Sequence, residues 1–151
     1  MSEYITSTYK PYGLHRARTY SDFIQPKLLG PSMFDKPNFT YDDKNLFVGM
    51  SYNVIIPKED TNLFYILGLL NSTFAEEWFY KNAKHRGVGV DVGVDKLRTF
   101  PIPQTTKEQQ KVIIDMVDEI LAKKKKDKDA DVSTLEKEID KEVYKLYGIT
   151  E

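Results

Sequence analysis

The chain has 151 residues, of which 40% are apolar, and this is sufficient for one soluble core. It contains no cysteine and only two histidines, which excludes a disulfide framework, a thiolate zinc site and a histidine metal cluster. Lysine and arginine (22) nearly balance aspartate and glutamate (23), so the net charge of −1 gives no overall signature of nucleic-acid binding.

Short apolar and β-branched runs, bounded by Gly, Pro, Asp and Asn, predict strands in the first half of the chain. These runs are residues 27–30, 46–50 and 52–56, and residues 41–45 are typical of a turn. We therefore predict an α+β fold in which a mixed sheet of short strands packs against helices.

From Leu63 onward, apolar residues recur at helical spacing and predict a helix that is capped by one of residues 60–62. Residues 71–72 either end this helix or cap a second one, whose aromatic face needs no ligand to explain it. That face contains Phe74, Trp78 and Phe79. The first helix is too short to span a bilayer and the N-terminus has no apolar signal segment, so we expect a cytoplasmic protein.

Three glycines, Gly87, Gly89 and Gly93, lie in a basic segment. The third glycine comes one residue too late for a Gly-x-Gly-x-x-Gly cofactor loop, and no apolar strand precedes the first. Because glycine relaxes backbone constraints, the segment is better interpreted as a mobile loop or a tight hairpin.

After Pro103 the sequence predicts two further helices, because residues 105–108 and 133–136 match the capping-box pattern. Residues 123–131 between them contain no apolar residue larger than alanine and predict a solvated loop, and Gly148 is the expected C-cap. We predict a core of residues 1–103 and a helical hairpin of residues 104–151 packed on the same domain. The apolar helix faces contain Val112, Ile113, Met116, Val117, Ile120 and Leu121, then Leu135, Ile139, Val143, Leu146 and Tyr147.

Several segments together carry a family resemblance. Residues 7–18 read Ser-Thr-Tyr-Lys-Pro-Tyr-Gly-Leu-His-Arg-Ala-Arg, and Pro-Lys-Leu-Leu and Asn-Phe-Thr-Tyr follow at residues 26–29 and 38–41. Residues 62–103 contain Leu-Leu-Asn-Ser and end in Leu-Arg-Thr-Phe-Pro-Ile-Pro, and residues 136–150 resemble the closing helix of the same family. Their order resembles the C-terminal specificity domain of TaqI-like type IIG restriction-modification methyltransferases. The glycine segment departs from the family, where an aromatic and then a polar residue are expected.

The resemblance implies a target-recognition domain that reads DNA for an enzyme whose catalytic part lies elsewhere. The related enzymes flip an adenine out of the duplex and methylate its N6 atom with S-adenosylmethionine. This chain has no adjacent prolines, so it lacks the Asn/Asp-Pro-Pro-aromatic motif that holds the flipped base. We expect a non-catalytic chain without a cofactor, whose partners are double-stranded DNA and the methyltransferase and nuclease domains of the parent enzyme. S-adenosylmethionine and magnesium would bind to the complete enzyme.

The basic residues are concentrated in residues 10–27 and 81–98, where cations outnumber carboxylates. Taken alone, such segments are most often ordinary solvated surface. In a DNA-reading domain, the two segments would line one cleft.

Arg16 and Arg18 are the leading predicted DNA contacts. Two residues apart, they would project to the same side of an extended segment, and guanidinium groups suit phosphate or the O6 and N7 acceptors of guanine. We expect base reading from at least one of them, and phosphate contacts from Lys84 and Arg86. The other candidate DNA contacts are His15, Lys27, Lys36, Asn38, Tyr41 and His85.

Two alternatives remain open. Residues 100–103, followed by residues 106–109 and a long helix, also resemble half of a type I restriction specificity subunit, although residues 9–18 favour the type IIG interpretation. The near-neutral charge and the C-terminal hairpin also permit a protein-interaction module without DNA binding.

Overall fold

The computed structural model describes residues 19–149, and these form an α+β fold, as predicted. A 3₁₀ turn at Tyr20–Asp22 precedes the first strand. The strands are β1 (Lys27–Pro31), β2 (Met33–Phe34), β3 (Thr40–Asp42), β4 (Tyr52–Ile55), β5 (Lys84–Arg86) and β6 (Gly89–Asp91). The helices are α1 (Leu63–Leu70), α2 (Thr73–Asn82), α3 (Val94–Leu97), α4 (Lys107–Lys126) and α5 (Ser133–Leu146).

Two three-stranded sheets take the place of the single mixed sheet that we predicted. Their orders are β3-β1-β4 and β2-β6-β5, and each pairing is antiparallel. Ser32 joins them, because its N–H donates to Ser51 O (2.8 Å) and its carbonyl accepts from Val92 N–H (2.7 Å). The buried Asn53 amide adds a second link, a 2.7 Å hydrogen bond to Val92 O.

The predicted strands at residues 27–30 and 52–56 are confirmed within one residue, but the predicted strand at residues 46–50 is wrong. The Asp42 carboxylate accepts hydrogen bonds from Lys44 N–H (3.0 Å) and Leu46 N–H (2.9 Å), and Asn45 adopts a positive φ of 58°. This turn directs the chain away from β1, whose two edges are already paired with β3 and β4.

Side-chain caps set the boundary between α1 and α2. Asn62 caps α1 by accepting hydrogen bonds from two N–H groups of its first turn, and Ser72 caps α2 by accepting one from Ala75 N–H. Both caps agree with the sequence prediction. Asn71, between the helices, exchanges two hydrogen bonds with the backbone of Phe39 (2.8 and 2.9 Å), which attaches the start of β3 to this junction. On the predicted aromatic face, Phe79 is fully buried and Phe74 and Trp78 are half-buried.

Helix α4 is longer than predicted. Its capping box consists of Thr106 and Gln109, one residue later than the predicted one, and the helix continues to Lys126. The predicted loop is therefore wrong for residues 123–126. Lysine has a high helix propensity and is favourable near the negative end of the helix dipole, and Lys123 also pairs with Glu119 at 2.8 Å.

Helix α5 begins without the predicted capping box. Val132 is its N-cap, and Ser133 N–H donates to the Asp131 carboxylate (2.9 Å). At the other end, Gly148 has a φ of +68° and ends the helix as predicted. Tyr147 then donates a hydrogen bond to Pro101 O (2.5 Å), which attaches the end of α5 to the segment after α3.

Helices α4 and α5 form the predicted antiparallel hairpin. Val112 near the start of α4 and Leu146 at the end of α5 line one cleft, whereas Leu121 and Ile139 line another. Their buried residues belong to the same hydrophobic cluster as α1 and the sheets. The boundary at residues 103–104 stays a prediction. Within the described part of the chain, no helix is long and apolar enough to cross a membrane.

Gly68 is the position where the backbone of α1 lies tightly against side chains of α4. A Cβ atom added there would lie 2.5 Å from Ile113 Cγ2 and 3.2 Å from Val117 Cγ2. Because Ile113 and Val117 are themselves buried, neither methyl group can move away without disturbing the core.

We predict that Gly68→Ala destabilises the protein. Overpacking costs about 1–3 kcal/mol, and the better helix propensity of alanine offsets up to about 1 kcal/mol of this. Gly49→Ala is the matched control, since a Cβ atom there meets nothing within 4 Å. Urea unfolding of both variants measures the difference, and equal stability of the two would contradict the close packing of α1 on α4.

Candidate nucleic-acid interface

Strands β5 and β6 form a tight hairpin whose turn consists of Gly87 and Val88. Gly87 has a φ of +60°, and the cross-strand pairs are Lys84 with Asp91, His85 with Val90, and Arg86 with Gly89. The hairpin interpretation of the glycine segment is thereby confirmed. Val88, at the tip, is 95% exposed.

The base of the hairpin is fixed in the core. Strand β6 pairs with β2 on its second edge, where Phe34 lies opposite Val90 and both are buried. A Cβ atom on Gly89 would lie 2.6 Å from Phe34 O, so only glycine permits this backbone approach. The hairpin is therefore a rigid arm with an exposed tip.

Lys84 and Arg86 project from the outer face of the hairpin. Side chains alternate along a strand, so these two share one side while His85 takes the other. His85 lies opposite the buried Val90, and Lys84 lies opposite Asp91, which is also paired with the exposed Met33. The outer face thus combines two cations with one carboxylate.

Arg86 forms an ion pair on this face. Its Nε lies 2.9 Å from Asp91 Oδ2, and the two side chains are 53% and 32% exposed. The contact lies on the Nε side of the guanidinium group, which carries five N–H donors in all.

His85 is separated from its two neighbours. Its Nε2 lies 2.8 Å from Tyr80 O, and its ring packs edge-on against the Tyr80 ring at a centroid distance of 4.5 Å. These contacts attach β5 to α2. The predicted group of Lys84, His85 and Arg86 is therefore divided between two faces.

Lys36 and Asn38 lie in the connection between β2 and β3. Both are exposed, and both line a 490 Å³ groove bordered by the α1–α2 junction, α4 and α5. Asp140 of α5 accepts hydrogen bonds from Thr73 N–H and Thr73 Oγ1 (both 2.7 Å), and these bonds attach the N-terminal end of α2 to α5. Other charged residues at the groove are Glu76, Lys124 and Glu136. This mixed charge makes the groove less favourable for phosphate than the hairpin.

Tyr41 is half-buried and packs edge-on against Phe64 at 5.0 Å, so its ring joins β3 to α1. Its predicted polar contact with DNA stays a prediction. The leading candidates Arg16 and Arg18, together with His15, lie outside the described residues, and their roles also remain predictions.

Lys27, a candidate DNA contact predicted from the sequence, lies inside the core, where its side chain cannot reach DNA. Its side chain is 0% exposed, forms an ion pair with Asp42, and donates a hydrogen bond to Phe23 O (2.8 Å). The register of β1 and β3 places Lys27 directly opposite Asp42. A lysine next to the buried run Leu28-Leu29 was a signal for such a partner, because a buried cation requires one.

The pair also changes the ionisation of Asp42. Burial by itself would raise the pKa of Asp42, but the ammonium group of Lys27 and the backbone N–H groups of Lys44 and Leu46 outweigh it by stabilising the carboxylate. The pKa of Asp42 therefore lies below its usual value. The charged form of this side chain holds the turn that follows β3.

Residues 2–102 match the family model of the TaqI-like C-terminal specificity domain. The chain belongs to this family. The resemblance inferred from the sequence motifs is thus confirmed, and the hairpin and the β2–β3 connection both lie within the matched range of the specificity domain. In the described residues, no group of three or more His, Asp or Glu side chains is placed to hold a metal ion.

Two curated relatives are type II methyltransferases. M.MjaIV of Methanocaldococcus jannaschii is 26% identical over 145 residues, which cover 92% of this chain and 48% of the relative. M.BanIII of Aneurinibacillus aneurinilyticus is 28% identical over 102 residues, which cover 64% of this chain and 17% of the relative. The chain thus spans about half of the first relative and less than a fifth of the second.

We predict that Lys27→Met destabilises the domain by about 3–5 kcal/mol, because it leaves the buried Asp42 without its counterion. The double variant Lys27→Met/Asp42→Asn should recover part of this loss. Lys111→Met is the control, since the Lys111–Asp115 pair is exposed and should be worth less than about 1 kcal/mol. Equal losses in Lys27→Met and Lys111→Met, measured by urea unfolding, would refute the structural role of the buried pair.

Acidification should weaken the domain through the same pair. A carboxyl group whose pKa is lowered by folding contributes stability above its unfolded pKa of about 3.9 and loses that contribution as the pH falls through the folded value. Below about pH 4, the unfolding free energy of the wild type should therefore decrease more steeply than that of Lys27→Met/Asp42→Asn. Parallel pH profiles from urea titrations would contradict the assignment.

Proposed function

We propose that this specificity domain binds double-stranded DNA and recognises a target sequence for a restriction-modification methyltransferase. The observation that carries the proposal is the hairpin of β5 and β6, which presents Lys84 and Arg86 together on an exposed face. Membership of a specificity-domain family and the two methyltransferase relatives support it.

The shape of the hairpin suits the major groove of DNA. That groove, about 12 Å wide, admits a two-stranded β-ribbon, and base edges there carry a distinct pattern of donors and acceptors. Lys84 offers a flexible positive charge for phosphate, and Val88 offers an apolar contact for a thymine methyl group. Arg86 offers a planar guanidinium group whose paired N–H donors form a fork. The hairpin can therefore both position the domain and read bases.

We further propose that the parent protein is a type IIG restriction enzyme and adenine-N6 methyltransferase. Its catalytic domains would bind S-adenosylmethionine and magnesium and would act in the cytoplasm, whereas this chain would supply target recognition. The limited share of each relative that the chain covers, 48% and 17%, is consistent with catalytic residues elsewhere in the parent.

The isolated chain should neither methylate nor cleave DNA when S-adenosylmethionine and magnesium are supplied. The physical reason is that the sequence lacks the motif that holds a flipped base. Transfer of a labelled methyl group to a plasmid and gel analysis of the same plasmid measure both activities. Turnover by the purified chain would overturn the non-catalytic assignment.

The chain should bind duplex DNA only weakly, with a Kd of about 1 μM or more at physiological salt, because its net charge is close to zero. Lys84→Ala/Arg86→Ala should weaken binding. It should also reduce the slope of log K against log salt by about one for each phosphate that the variant no longer neutralises. Fluorescence anisotropy with a mixed-sequence duplex at two salt concentrations measures both quantities.

Lys125→Ala/Lys126→Ala removes the same charge from the exposed end of α4 and is the matched control. We expect it to have the smaller effect. If the two double variants weaken binding equally, the hairpin is not the DNA face. If the wild type does not bind DNA at low salt, the interaction-module alternative is favoured.

A further inference from the structure

We propose that Arg86 reads a base edge rather than a phosphate, and that Asp91 is the residue that positions it. This inference rests on the proposed DNA-binding function and revises the phosphate contact that the sequence predicted for Arg86.

The first argument is the position on the Arg86 guanidinium group at which Asp91 forms the ion pair. One oxygen of the Asp91 carboxylate lies 2.9 Å from Nε of Arg86, which is the inner nitrogen of the guanidinium group. The edge formed by the two terminal nitrogens points away from Nε and retains two parallel N–H donors. Two parallel donors match the O6 and N7 acceptors of guanine, which is the commonest specific contact of arginine in the major groove.

The second argument is the rigidity of Asp91. It belongs to the central strand β6 and is paired with Met33 on one side and Lys84 on the other. The next residue, Val92, is fully buried and is hydrogen-bonded through both its N–H and its carbonyl group. A carboxylate on such a backbone restricts the arginine before DNA is bound, which lowers the conformational entropy cost of binding.

The third argument is electrostatic. Asp91 shares the outer face with Lys84 and Arg86, and a negative charge there repels the DNA backbone. A protein face that served only to attract phosphate would bind DNA more tightly without this negative charge. A carboxylate that orients an arginine fork reduces affinity but improves discrimination between bases, and the Arg86–Asp91 geometry fits this second role.

The test is selection of DNA from a library of duplexes with a randomised central segment, using the 151-residue chain. Asp91→Asn removes the charge and retains an amide of nearly the same size. We expect it to bind DNA overall as tightly as the wild type or more tightly, and to lose about tenfold or more of its preference at one base pair. Higher affinity together with weaker preference is not expected from a purely structural defect.

Two variants test the partner side chain and the charge. Arg86→Lys keeps the positive charge but lacks the fork, so it should lose the same base preference while retaining most of its affinity. Asp91→Glu keeps a carboxylate and should preserve more of the preference than Asp91→Asn. The matched control is Asp115→Asn, which removes one charge from the exposed Lys111–Asp115 pair and should leave the preference unchanged.

The outcomes separate the two proposals. If the wild type selects a sequence, and Asp91→Asn and Arg86→Lys select the same one with equal strength, the positioning role is refuted while DNA recognition stands. If Arg86→Ala weakens binding to all sequences alike while Arg86→Lys keeps both affinity and base preference, Arg86 contacts phosphate and the base-reading role is refuted. If the wild type neither binds nor enriches any duplex, the proposed function fails, and this inference fails with it.

Discussion

The structure depends on the way in which Ser32 joins the two sheets. Its backbone takes part in both: the N–H group bonds to the residue before β4, and the carbonyl bonds to the residue after β6. Asn53 reinforces the link from within the core, where an unpaired amide would be costly. The orientation of the β5–β6 hairpin is therefore set by the central strand β1 and by the helices packed against it, and not by the glycine-rich turn itself.

Two polar side-chain arrangements, one buried and one near the surface, fix the segments on either side of β3. Lys27 and Asp42 fix the turn after β3, and Asn71 fixes the segment before β3 through the backbone of Phe39. Each satisfies backbone groups that a short strand leaves unpaired. Short strands of two to five residues can therefore form a stable fold, because side chains supply hydrogen bonds that longer ladders would otherwise provide.

Local signals predicted four of the five helices in the described residues and three of their caps, but not the short α3. Errors arose where contacts between residues distant in the sequence determine the structure. Asn62, Ser72 and Gly148 act within one helical turn, so their types and positions were sufficient. The burial of Lys27 depends on Asp42, which is fifteen residues away in the sequence, and no periodicity indicates that pairing. The local excess of basic residues was enough to indicate Lys84 and Arg86 as candidate DNA contacts. It could not indicate Asp91, because the pairing of this residue with Lys84 and Arg86 appears only when the register of the hairpin is known.

The near-neutral charge of the chain is consistent with the proposed function when the parent enzyme is considered. Affinity for DNA comes mainly from phosphate contacts, and these can be distributed over the other domains of a larger protein. A specificity domain contributes differences between sequences, and these require oriented donors more than a large positive charge. Under our proposal, an arginine paired with a carboxylate on a well-anchored strand would provide such a donor, and the negative charge of Asp91 would limit the attraction to sequences that lack the matching base.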